Sequence, residues 1–206
     1  MSNKLIIYGC GGHCRSVLGV LIDKGINNEI VIVDENAKAD ETIYGFNVVK
    51  EIRLLPDDQY HIAIGDCEKR KKKYDQLRNE GIGSPATIIS NSALIKKSAH
   101  IGKGVFIADN AYIGPDCVIG NNSIVNTGSI IEHESLIGDD CHIAPNTTVC
   151  GRSKIGNRVF IGAGSTIIDK ICIVDDITVG SSANVIRNLV AKGTYVGNPA
   201  KLLKVK

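Results

Sequence analysis

The chain has 206 residues, of which 43% are hydrophobic and only 4% aromatic, so its core has to be built from Ile, Val, Leu and Ala. A net charge of +2 argues against a protein that binds nucleic acid through many phosphate contacts. No apolar run is long enough to span a bilayer, and the N-terminus lacks the pattern of a signal peptide, so we expect a cytoplasmic protein with no membrane partner. The seven cysteines form no zinc-type pair, and we expect neither disulfides nor a metal.

The first part of the chain alternates short apolar runs with helical patterns. Apolar runs at 4–8, 30–33, 62–64 and 86–89 predict strands, and two helices are predicted, one after Gly12 and one over 68–79. This alternation is typical of a small parallel α/β sheet of Rossmann type. The second helix carries the basic run Glu-Lys-Arg-Lys-Lys-Lys from Glu68, which we interpret as a solvated helix face.

The second part of the chain is a six-residue repeat. From Ile89 to Val185, Ile or Val occupies every sixth position, seventeen times without a break. A period of six fits neither an amphipathic helix nor an alternating strand, and it is typical of a parallel β-helix with three hexads to a coil. Seventeen hexads predict between five and six coils. After Val196 a Gly-Asn-Pro-Ala-Lys segment breaks the period and predicts a cap on the last coil.

These patterns predict two domains, an α/β domain over residues 1–88 and a β-helix with its cap over residues 89–206. No inserted loop interrupts the repeat, so a site on the β-helix has to be built on its faces or between subunits. The third and fourth positions of a hexad point outward, which places His133 and Glu134 on the surface. Imidazole suits a general base near neutral pH, and a neighbouring carboxylate can orient it. An ordinary exposed His-Glu pair is the alternative.

A Gly-rich segment, Gly9-Cys10-Gly11-Gly12-His13, lies between the first predicted strand and helix. Backbone N–H groups at such a helix N-terminus can hold phosphate. The segment lacks the last glycine of the dinucleotide fingerprint, because position 14 is Cys. Asp34 ends the second strand about where a Rossmann acidic residue contacts ribose, and Gly65 ends the third strand at the same edge. Alone, this pattern is only a weak sign of a dinucleotide site.

The hexapeptide repeat, the Gly-x-Gly-Gly-His segment and the terminal Gly197-Asn198-Pro199-Ala200-Lys201 together resemble one family. It is the left-handed β-helix acyltransferases, in the branch of the PglD and NeuD sugar acetyltransferases. The resemblance covers essentially the whole chain and implies a left-handed coil, use of acetyl-CoA, and homotrimers that bind CoA between neighbouring β-helices. It also implies that the N-terminal domain holds the nucleotide of a sugar nucleotide. The residues expected to contact that substrate are Gly11, Gly12, His13, Asp34 and Gly65.

The same resemblance assigns roles on the β-helix. His133 and Glu134 match the catalytic His-Glu pair, and Asn126 matches a substrate-binding position near the reacting centre. The residues expected at the CoA are His142, Gly151, Gly162, Ser181 and Lys201, and Gly151 is also expected to offer an N–H to the oxyanion. His142 follows His133 by nine residues, half a coil of eighteen. We therefore expect these histidines on different sides of one β-helix, meeting in one cleft only between neighbouring subunits.

The sequence predicts an acetyl-CoA-dependent N-acetyltransferase that acts on a nucleotide-linked amino sugar, such as a UDP-4-amino-4,6-dideoxy sugar, in the synthesis of a surface polysaccharide or other glycan. O-acetylation of a sialic acid or related sugar is the alternative within the same class, since amine and hydroxyl acceptors need the same base. A non-catalytic β-helix binding module ranks lower, because the His-Glu pair is present. A dinucleotide-dependent oxidoreductase is disfavoured by the incomplete fingerprint.

Overall fold

The computed structural model describes residues 4–26 and 29–203. The ends of the predicted domain ranges, residues 1–3 and 204–206, lie outside the described residues. The chain begins with an α/β domain whose strands are β1 Leu5–Tyr8, β2 Ile30–Val33, β3 Thr42–Ile43, β4 Phe46–Val49, β5 Gln59–Ile62 and β6 Ser84–Pro85, and whose helices are α1 Gly12–Asp23 and α2 Cys67–Glu80. Neither of these helices has the length and apolar character that crossing a membrane requires.

The six strands form one sheet in the order β3-β4-β2-β1-β5-β6. β1 lies between β2 and β5 and pairs in parallel with both, whereas β3 pairs antiparallel with β4. The carboxyl ends of β1, β2 and β5 therefore meet at one edge of the sheet, which is where ligands bind in open α/β folds. The Gly-rich segment, Asp34 and Gly65 all follow these strand ends.

Two of the predicted strands need correction. The third apolar strand, predicted over 62–64, is wrong, because the strand is Gln59–Ile62 and its polar residues Gln59 and His61 conceal it in the sequence. His61 is buried, with its Nδ1 2.9 Å from the carbonyl oxygen of Ala86. Of the predicted strand over 86–89 only Ile88–Ile89 is a strand, and it starts the β-helix, whereas β6 at Ser84–Pro85 lies just before the predicted range and joins the α/β sheet. The β3–β4 hairpin carries no clear sequence signal.

Seventeen short strands build the β-helix, and each ends on one residue of the aliphatic repeat. They are β7 Ile88–Ile89, β8 Leu94–Ile95, β9 His100–Ile101, β10 Phe106–Ile107, β11 Tyr112–Ile113, β12 Val118–Ile119, β13 Ile124–Val125, β14 Ile130–Ile131, β15 Leu136–Ile137, β16 His142–Ile143, β17 Thr148–Val149, β18 Lys154–Ile155, β19 Phe160–Ile161, β20 Thr166–Ile167, β21 Cys172–Ile173, β22 Ile177–Val179 and β23 Asn184–Val185. All neighbouring strands pair in parallel, eighteen residues apart at the ladder positions. The predicted fold class is confirmed.

The strands sort into three faces. The front face contains β7, β10, β13, β16, β19 and β22; the second face contains β8, β11, β14, β17, β20 and β23; the third face contains β9, β12, β15, β18 and β21. The chain turns from the second to the third face at the one corner that does not border the front face, which we call the rear corner. The cap adds β24 Gly193–Val196 in parallel to the front face, followed by β25 Lys201–Leu202 in the opposite direction.

Burial inside the β-helix explains which residue types occupy two positions of each hexad, the repeated aliphatic position and the fifth position. The aliphatic of each central hexad is fully buried, as at Ile113, Ile131 and Val149. The small residues at the fifth position are also buried, and several of them hydrogen-bond to a carbonyl group of the next coil, as Ser129 Oγ does to Ala144 O at 2.9 Å. A hydroxyl or thiol at this position satisfies a carbonyl that the tight corner leaves without a partner, so small size is only part of the requirement.

The α/β domain packs against the front face. Phe106 and Ile124 point outward from that face and are buried in the same cluster as the α1 residues Val17 and Leu21. Arg70 on α2 is 1% exposed and joins the two domains. Its guanidinium group donates to five carbonyl oxygens, those of Ile64, Gly65, Asn122, Asp140 and Cys141, at 2.7–3.0 Å. Since Arg has five N–H donors in a fixed fork, this arrangement fixes the angle between the domains.

Candidate active site

A cavity of about 700 Å³ lies at the carboxyl edge of the α/β sheet. Its walls are the Gly-rich segment, the ends of β1, β2 and β5, and one side of α2. We call it the sheet-edge pocket. It contains all five residues that the sequence assigns to the nucleotide-sugar site in the N-terminal domain, namely Gly11, Gly12, His13, Asp34 and Gly65.

The glycines of this pocket differ in whether the fold requires a glycine at their position. Gly9 has a φ of +101°, and a Cβ there would lie 3.0 Å from Ile64 Cγ1, so the fold itself requires it. Gly11 and Gly12 have no positive φ, and a Cβ on either would meet no atom within 4 Å. The fold does not require these two glycines. Their missing side chains leave open space at the N-terminus of α1, where the first N–H groups have no intrahelical partner.

Asp34 shapes the Gly-rich segment. Its Oδ2 accepts the N–H of Cys10 at 3.0 Å, and its Oδ1 accepts the N–H of Asn36 at 3.0 Å. Burial alone would raise the pKa of Asp34, but backbone hydrogen bonds from Asn36 and Cys10 outweigh burial and hold the pKa below its ordinary value. The carboxylate is therefore charged at neutral pH and borders the pocket, while its contact with a ribose stays a prediction.

His13 lies in the first turn of α1 at the floor of the pocket. Its ring packs edge-on against Phe106, with ring centroids 5.0 Å apart, and lies 6.1 Å from the ring of His142. Burial lowers the pKa of His13 well below its ordinary value, so the ring is neutral. Its Nε2 is buried and has no hydrogen-bond partner among the described residues. A buried polar atom without a partner is typical of a place where a ligand or water binds.

His142 connects the pocket to the β-helix. Its Nδ1 lies 2.9 Å from the carbonyl oxygen of Gly65, and its Nε2 lies 3.3 Å from the amide Nδ2 of Asn126. Because a carbonyl only accepts, Nδ1 carries the proton and Nε2 accepts from the Asn126 amide. Burial lowers the pKa of His142 to about 4. His142 is thus a neutral ring at the junction of the two domains, next to the pocket of its own chain.

A second cavity of about 780 Å³ lies along the front face. Gly65 borders both cavities, so they meet at that residue. The second cavity, which we call the front groove, is lined by His142, Phe160 and Thr178 from the β-helix and by Arg158 and Asp176 from its edge. The ring of Phe160 packs edge-on against His142 at 5.2 Å. The front groove therefore adjoins the sheet-edge pocket at Gly65, and His142 lines the groove.

His133 and Glu134 lie at the rear corner, in the turn between β14 and β15. Their side chains are 42% and 55% exposed, and His133 Nδ1 lies 3.0 Å from Glu134 Oε2. Glu134 occupies the left-handed region with a φ of 59°. A carboxylate only accepts, so Nδ1 carries the proton and Nε2 has a free lone pair. This pairing is the arrangement that a general base requires.

Gly151 lies one coil beyond His133 at the same corner. A Cβ on Gly151 would approach the His133 ring to 2.6 Å, so the ring rests on the space that the glycine leaves. The carbonyl oxygen of Gly151 accepts the N–H of Lys170, whereas its own N–H has no acceptor among the described residues. The rear corner thus holds a possible base and a free backbone donor together.

The remaining residues predicted at the CoA lie elsewhere. Gly162 and Ser181 stack on successive coils at the corner between the front and second faces, where a Cβ on Gly162 would lie 2.5 Å from Ser181 N. Lys201 is exposed on β25 in the cap. The predicted β-helix residues therefore form a front group of Asn126, His142, Gly162, Ser181 and Lys201 and a rear group of His133, Glu134 and Gly151. Since the rear corner does not border the front face, one chain does not bring the two groups into one cleft.

Several residues at the site are missed by reasoning from the sequence. Arg70 and Phe160 carry no signal, because their roles depend on packing between distant segments. The basic run of α2 does carry a signal in the sequence. Its interpretation as a solvated face is incomplete, because Lys69, Lys72 and Lys73 line the sheet-edge pocket. Their spacing of three and four residues on a helix places them on one face, which the sequence alone shows.

Two family models match the chain. The model described as the PglD N-terminal domain matches residues 4–77. The model described as bacterial transferase hexapeptide (six repeats) matches residues 98–133 and again residues 134–169. Together these matches cover both the α/β domain and most of the β-helix.

Solved structures resemble the whole chain. A variant of the perosamine N-acetyltransferase from Caulobacter crescentus, in complex with CoA and GDP-perosamine, is 29% identical with a TM-score of 0.92, over 100% of this chain and 99% of that one. PerB from Caulobacter crescentus, in complex with the same two molecules, is 31% identical with a TM-score of 0.89, over 98% of each chain.

A curated relative matches about a third of the chain. The serine acetyltransferase of Helicobacter pylori is 37% identical over 75 residues, which cover 32% of this chain and 44% of the relative. This chain thus aligns with less than half the length of that relative, whereas it aligns with both domains of the sugar-nucleotide complexes. On these matches the chain belongs to the PglD family of left-handed β-helix, hexapeptide-repeat sugar acetyltransferases, which are acetyl-CoA-dependent enzymes.

Proposed function

We propose that this protein transfers the acetyl group of acetyl-CoA to the amino group of a nucleotide-linked amino sugar. The observation that carries the proposal is the open space at Gly11 and Gly12, which the fold does not require and which lies at a helix N-terminus in a pocket of about 700 Å³. A helix N-terminus with free N–H groups favours a phosphate. The relatives in complex with CoA and GDP-perosamine support the same substrate class.

In this proposal the acceptor lies along the two joined cavities. The nucleotide occupies the sheet-edge pocket, where His13 Nε2 is left without a protein partner among the described residues. The sugar extends past Gly65 to the front groove, towards His142 and the Asn126 amide that is hydrogen-bonded to it. The CoA follows the front group along Gly162, Ser181 and Lys201. This placement brings the amino group of the sugar to the front face. His133 of the same chain lies at the rear corner, so the base has to come from another chain.

The base comes from a second copy of the chain. His133 lies at the rear corner, on the side of the β-helix away from the α/β domain. Outward-facing aliphatic side chains flank it on both adjoining faces: Ile130 is 36% exposed, Leu136 39% and Val118 38%. Exposed aliphatics on either side of a polar pair favour burial against another subunit. A closed ring of three copies, with the rear corner of one against the front groove of the next, completes three equal sites.

The chemistry follows from the rear group. The sugar amine, bound neutral, attacks the carbonyl carbon of the thioester, and Nε2 of His133 takes the proton that the nitrogen releases. Glu134 holds the Nδ1–H and stabilises the imidazolium that forms. The free N–H of Gly151 donates to the oxyanion of the tetrahedral intermediate. The C–S bond then breaks, and CoA leaves as a thiolate that takes up the proton, so no protein nucleophile is needed.

The test is a thiol-release assay with acetyl-CoA and a panel of UDP-, dTDP- and GDP-linked amino sugars. We expect turnover with at least one of them and none with His133→Ala. Activity only with free or CMP-linked sialic acid would replace this proposal with O-acetylation.

Gly11→Asp places a carboxylate at the proposed phosphate site in a residue that caps α1, where Asp is favoured. We expect it to raise the KM for the acceptor, while Gly11→Asn, of similar size, raises it less.

A further inference from the structure

A third cavity, of about 390 Å³, lies where the C-terminal half of α2 meets the β-helix. The α/β domain contributes Tyr60, Tyr74 and Arg78 to its lining, and the β-helix contributes Lys103 and Asn121. We call it the junction cavity. It shares no lining residue with the sheet-edge pocket or the front groove, so the proposed function does not account for it. Its volume is typical of a site for a small molecule.

Two buried tyrosines bring polar groups to the cavity that the protein itself does not use. Tyr60 is 1% exposed and Tyr74 is 5% exposed, yet neither hydroxyl has a hydrogen-bond partner among the residues that the structure describes. The Tyr74 ring packs against a corner of the β-helix, where a Cβ on Gly104 would lie 3.3 Å from its Cε2. Burial raises the pKa of Tyr74 to about 12 and also raises the pKa of Tyr60, so both hydroxyls stay protonated and can donate. A buried polar group without a partner is typical of a place where a ligand or water binds.

The two cations of the junction cavity have no counter-ion in it. No carboxylate lines the cavity, and in the described parts of the chain none lies within ion-pair distance of Arg78 or Lys103. Two carboxylates in the neighbourhood, Glu80 and Asp139, lie outside the lining, and each already accepts a hydrogen bond from an amide group. The Arg78 guanidinium lies 5.6 Å from the ring centre of Tyr74, which holds it at the cavity wall.

The chemistry of the lining favours an anion that carries a ring. The guanidinium and ammonium groups only donate, and the two phenol groups can donate as well, so a carboxylate can accept from all of them. The rings of Tyr60 and Tyr74, together with Leu77, form an apolar wall that suits a flat aromatic ring. An inorganic anion leaves this wall uncovered, whereas a neutral ring leaves the two cations without a partner.

We propose that the junction cavity binds a small aromatic carboxylate. The carboxylate lies between Arg78, Lys103 and the two tyrosine hydroxyls, and the ring packs on the apolar wall. Because Arg78 belongs to α2 and Lys103 to the β-helix, such a ligand joins the two domains and stabilises the folded protein. The site goes beyond the proposed function, since it uses none of the residues assigned to acetyl transfer.

The experiment measures the binding of a naphthoate probe by fluorescence anisotropy, which is simple in a chain that has no Trp. We expect wild type to bind naphthoate at least about tenfold more tightly than the neutral naphthamide, and acetate to compete only weakly. Arg78→Gln and Lys103→Gln are each expected to lose about tenfold in naphthoate affinity. Tyr60→Phe is expected to lose several-fold in affinity without loss of thermal stability, because its hydroxyl has no protein partner. Lys72→Gln is the matched control, since it removes a charge from the side of α2 that lines the sheet-edge pocket.

The outcomes decide whether this cavity is a site. No saturable binding of naphthoate to wild type overturns the proposal, and so does equal affinity for naphthoate and naphthamide. Wild-type affinity in both Arg78→Gln and Lys103→Gln also overturns it. A loss in Lys72→Gln as large as in those variants places the probe in the sheet-edge pocket and contradicts the junction cavity. Thermal unfolding of each variant confirms that the fold is intact, and none of these results bears on the acetyl-transfer assay.

Discussion

The imidazole ring of His133 rests directly on Gly151, one coil further along the rear corner. A Cβ on Gly151 would lie 2.6 Å from both Cε1 and Nε2 of the ring, a distance that real contacts do not reach. At the same time Nδ1 lies 3.0 Å from Glu134 Oε2. The ring is therefore held on one side by a carboxylate and on the other by the absence of a side chain, and each restraint can be removed separately.

Gly151→Ala is expected to displace the His133 ring without unfolding the β-helix. A misplacement of about 1 Å at a reacting group can cost on the order of a hundredfold in rate, so we expect kcat to fall by one to two orders of magnitude. Gly19→Ala is the control: it lies inside α1 with no atom within 4 Å of the new Cβ, and we expect a gain of up to about 1 kcal/mol and unchanged activity. Wild-type kcat in Gly151→Ala would show that the position of the ring does not matter.

Glu134→Gln tests the orienting carboxylate. The amide keeps a hydrogen-bond partner for the ring but removes the charge that stabilises the imidazolium. Because Glu134 is 55% exposed and water screens it, we expect a loss in kcat of about tenfold, smaller than for the buried carboxylate of a hydrolase triad. Glu132→Gln removes the same charge two residues earlier and is expected to have a much smaller effect. Equal losses of kcat in the two variants would contradict the proposed role of Glu134 in stabilising the imidazolium of His133.

Arg70→Met is expected to destabilise the protein strongly. It removes a donor from five carbonyl oxygens at the domain junction. Those of Gly65 and Cys141 keep a second donor, but those of Ile64, Asn122 and Asp140 lose theirs, and each buried acceptor without a partner costs about 1–3 kcal/mol. We expect a loss of at least about 3 kcal/mol in the free energy of unfolding, measured by urea denaturation. Arg78→Met on the same helix removes an exposed Arg that stacks on Tyr74, and its expected effect is below about 1 kcal/mol. Similar losses in both variants would contradict the joining role of Arg70.

Three buried histidines predict a loss of stability in mild acid. Burial lowers the pKa of His61 and of His142 to about 4, and it lowers the pKa of His13 well below its ordinary value. An unfolded histidine titrates near 6.5, so below that pH the unfolded chain binds more protons than the folded one. Stability is therefore full above pH 6.5 and falls as the pH drops towards 4, by up to about 1.4 kcal/mol per pH unit for each histidine.

His61→Asn isolates one of these contributions. The Asn amide can keep the hydrogen bond to the carbonyl of Ala86, while the titrating group is gone. Plots of the free energy of unfolding against pH, from urea titrations between pH 4.5 and 7, are expected to be shallower for this variant than for wild type. A variant with the wild-type slope would show that His61 does not titrate in this range.

The sequence predicts this molecule best where one physical requirement recurs. An inward aliphatic every six residues fixes each corner of the β-helix, and this period alone places His133 and His142 on different sides of it. The period does not predict that His142 contacts Gly65, because that contact joins residues 77 apart in the chain. The burial of Arg70 also cannot be predicted from the sequence, because Arg70 lies in a run of basic residues and such a run is typical of a solvent-exposed helix face. The strand Gln59–Ile62 escapes prediction because His61 is buried through a hydrogen bond and not through apolar character.

The central claim is that one active site takes its base from the rear corner of one chain and its acceptor pocket from another. Co-expression of His133→Ala chains with Gly11→Asp chains tests it directly when activity is measured at an acceptor concentration far below the raised KM of Gly11→Asp, because each variant alone then has one defective half in every site. With random mixing in a closed ring, about a quarter of the sites combine an intact His133 with an intact pocket, so we predict about a quarter of wild-type activity. Mixed assemblies that form but show no more activity than the separate variants would place both halves in one chain and contradict the claim.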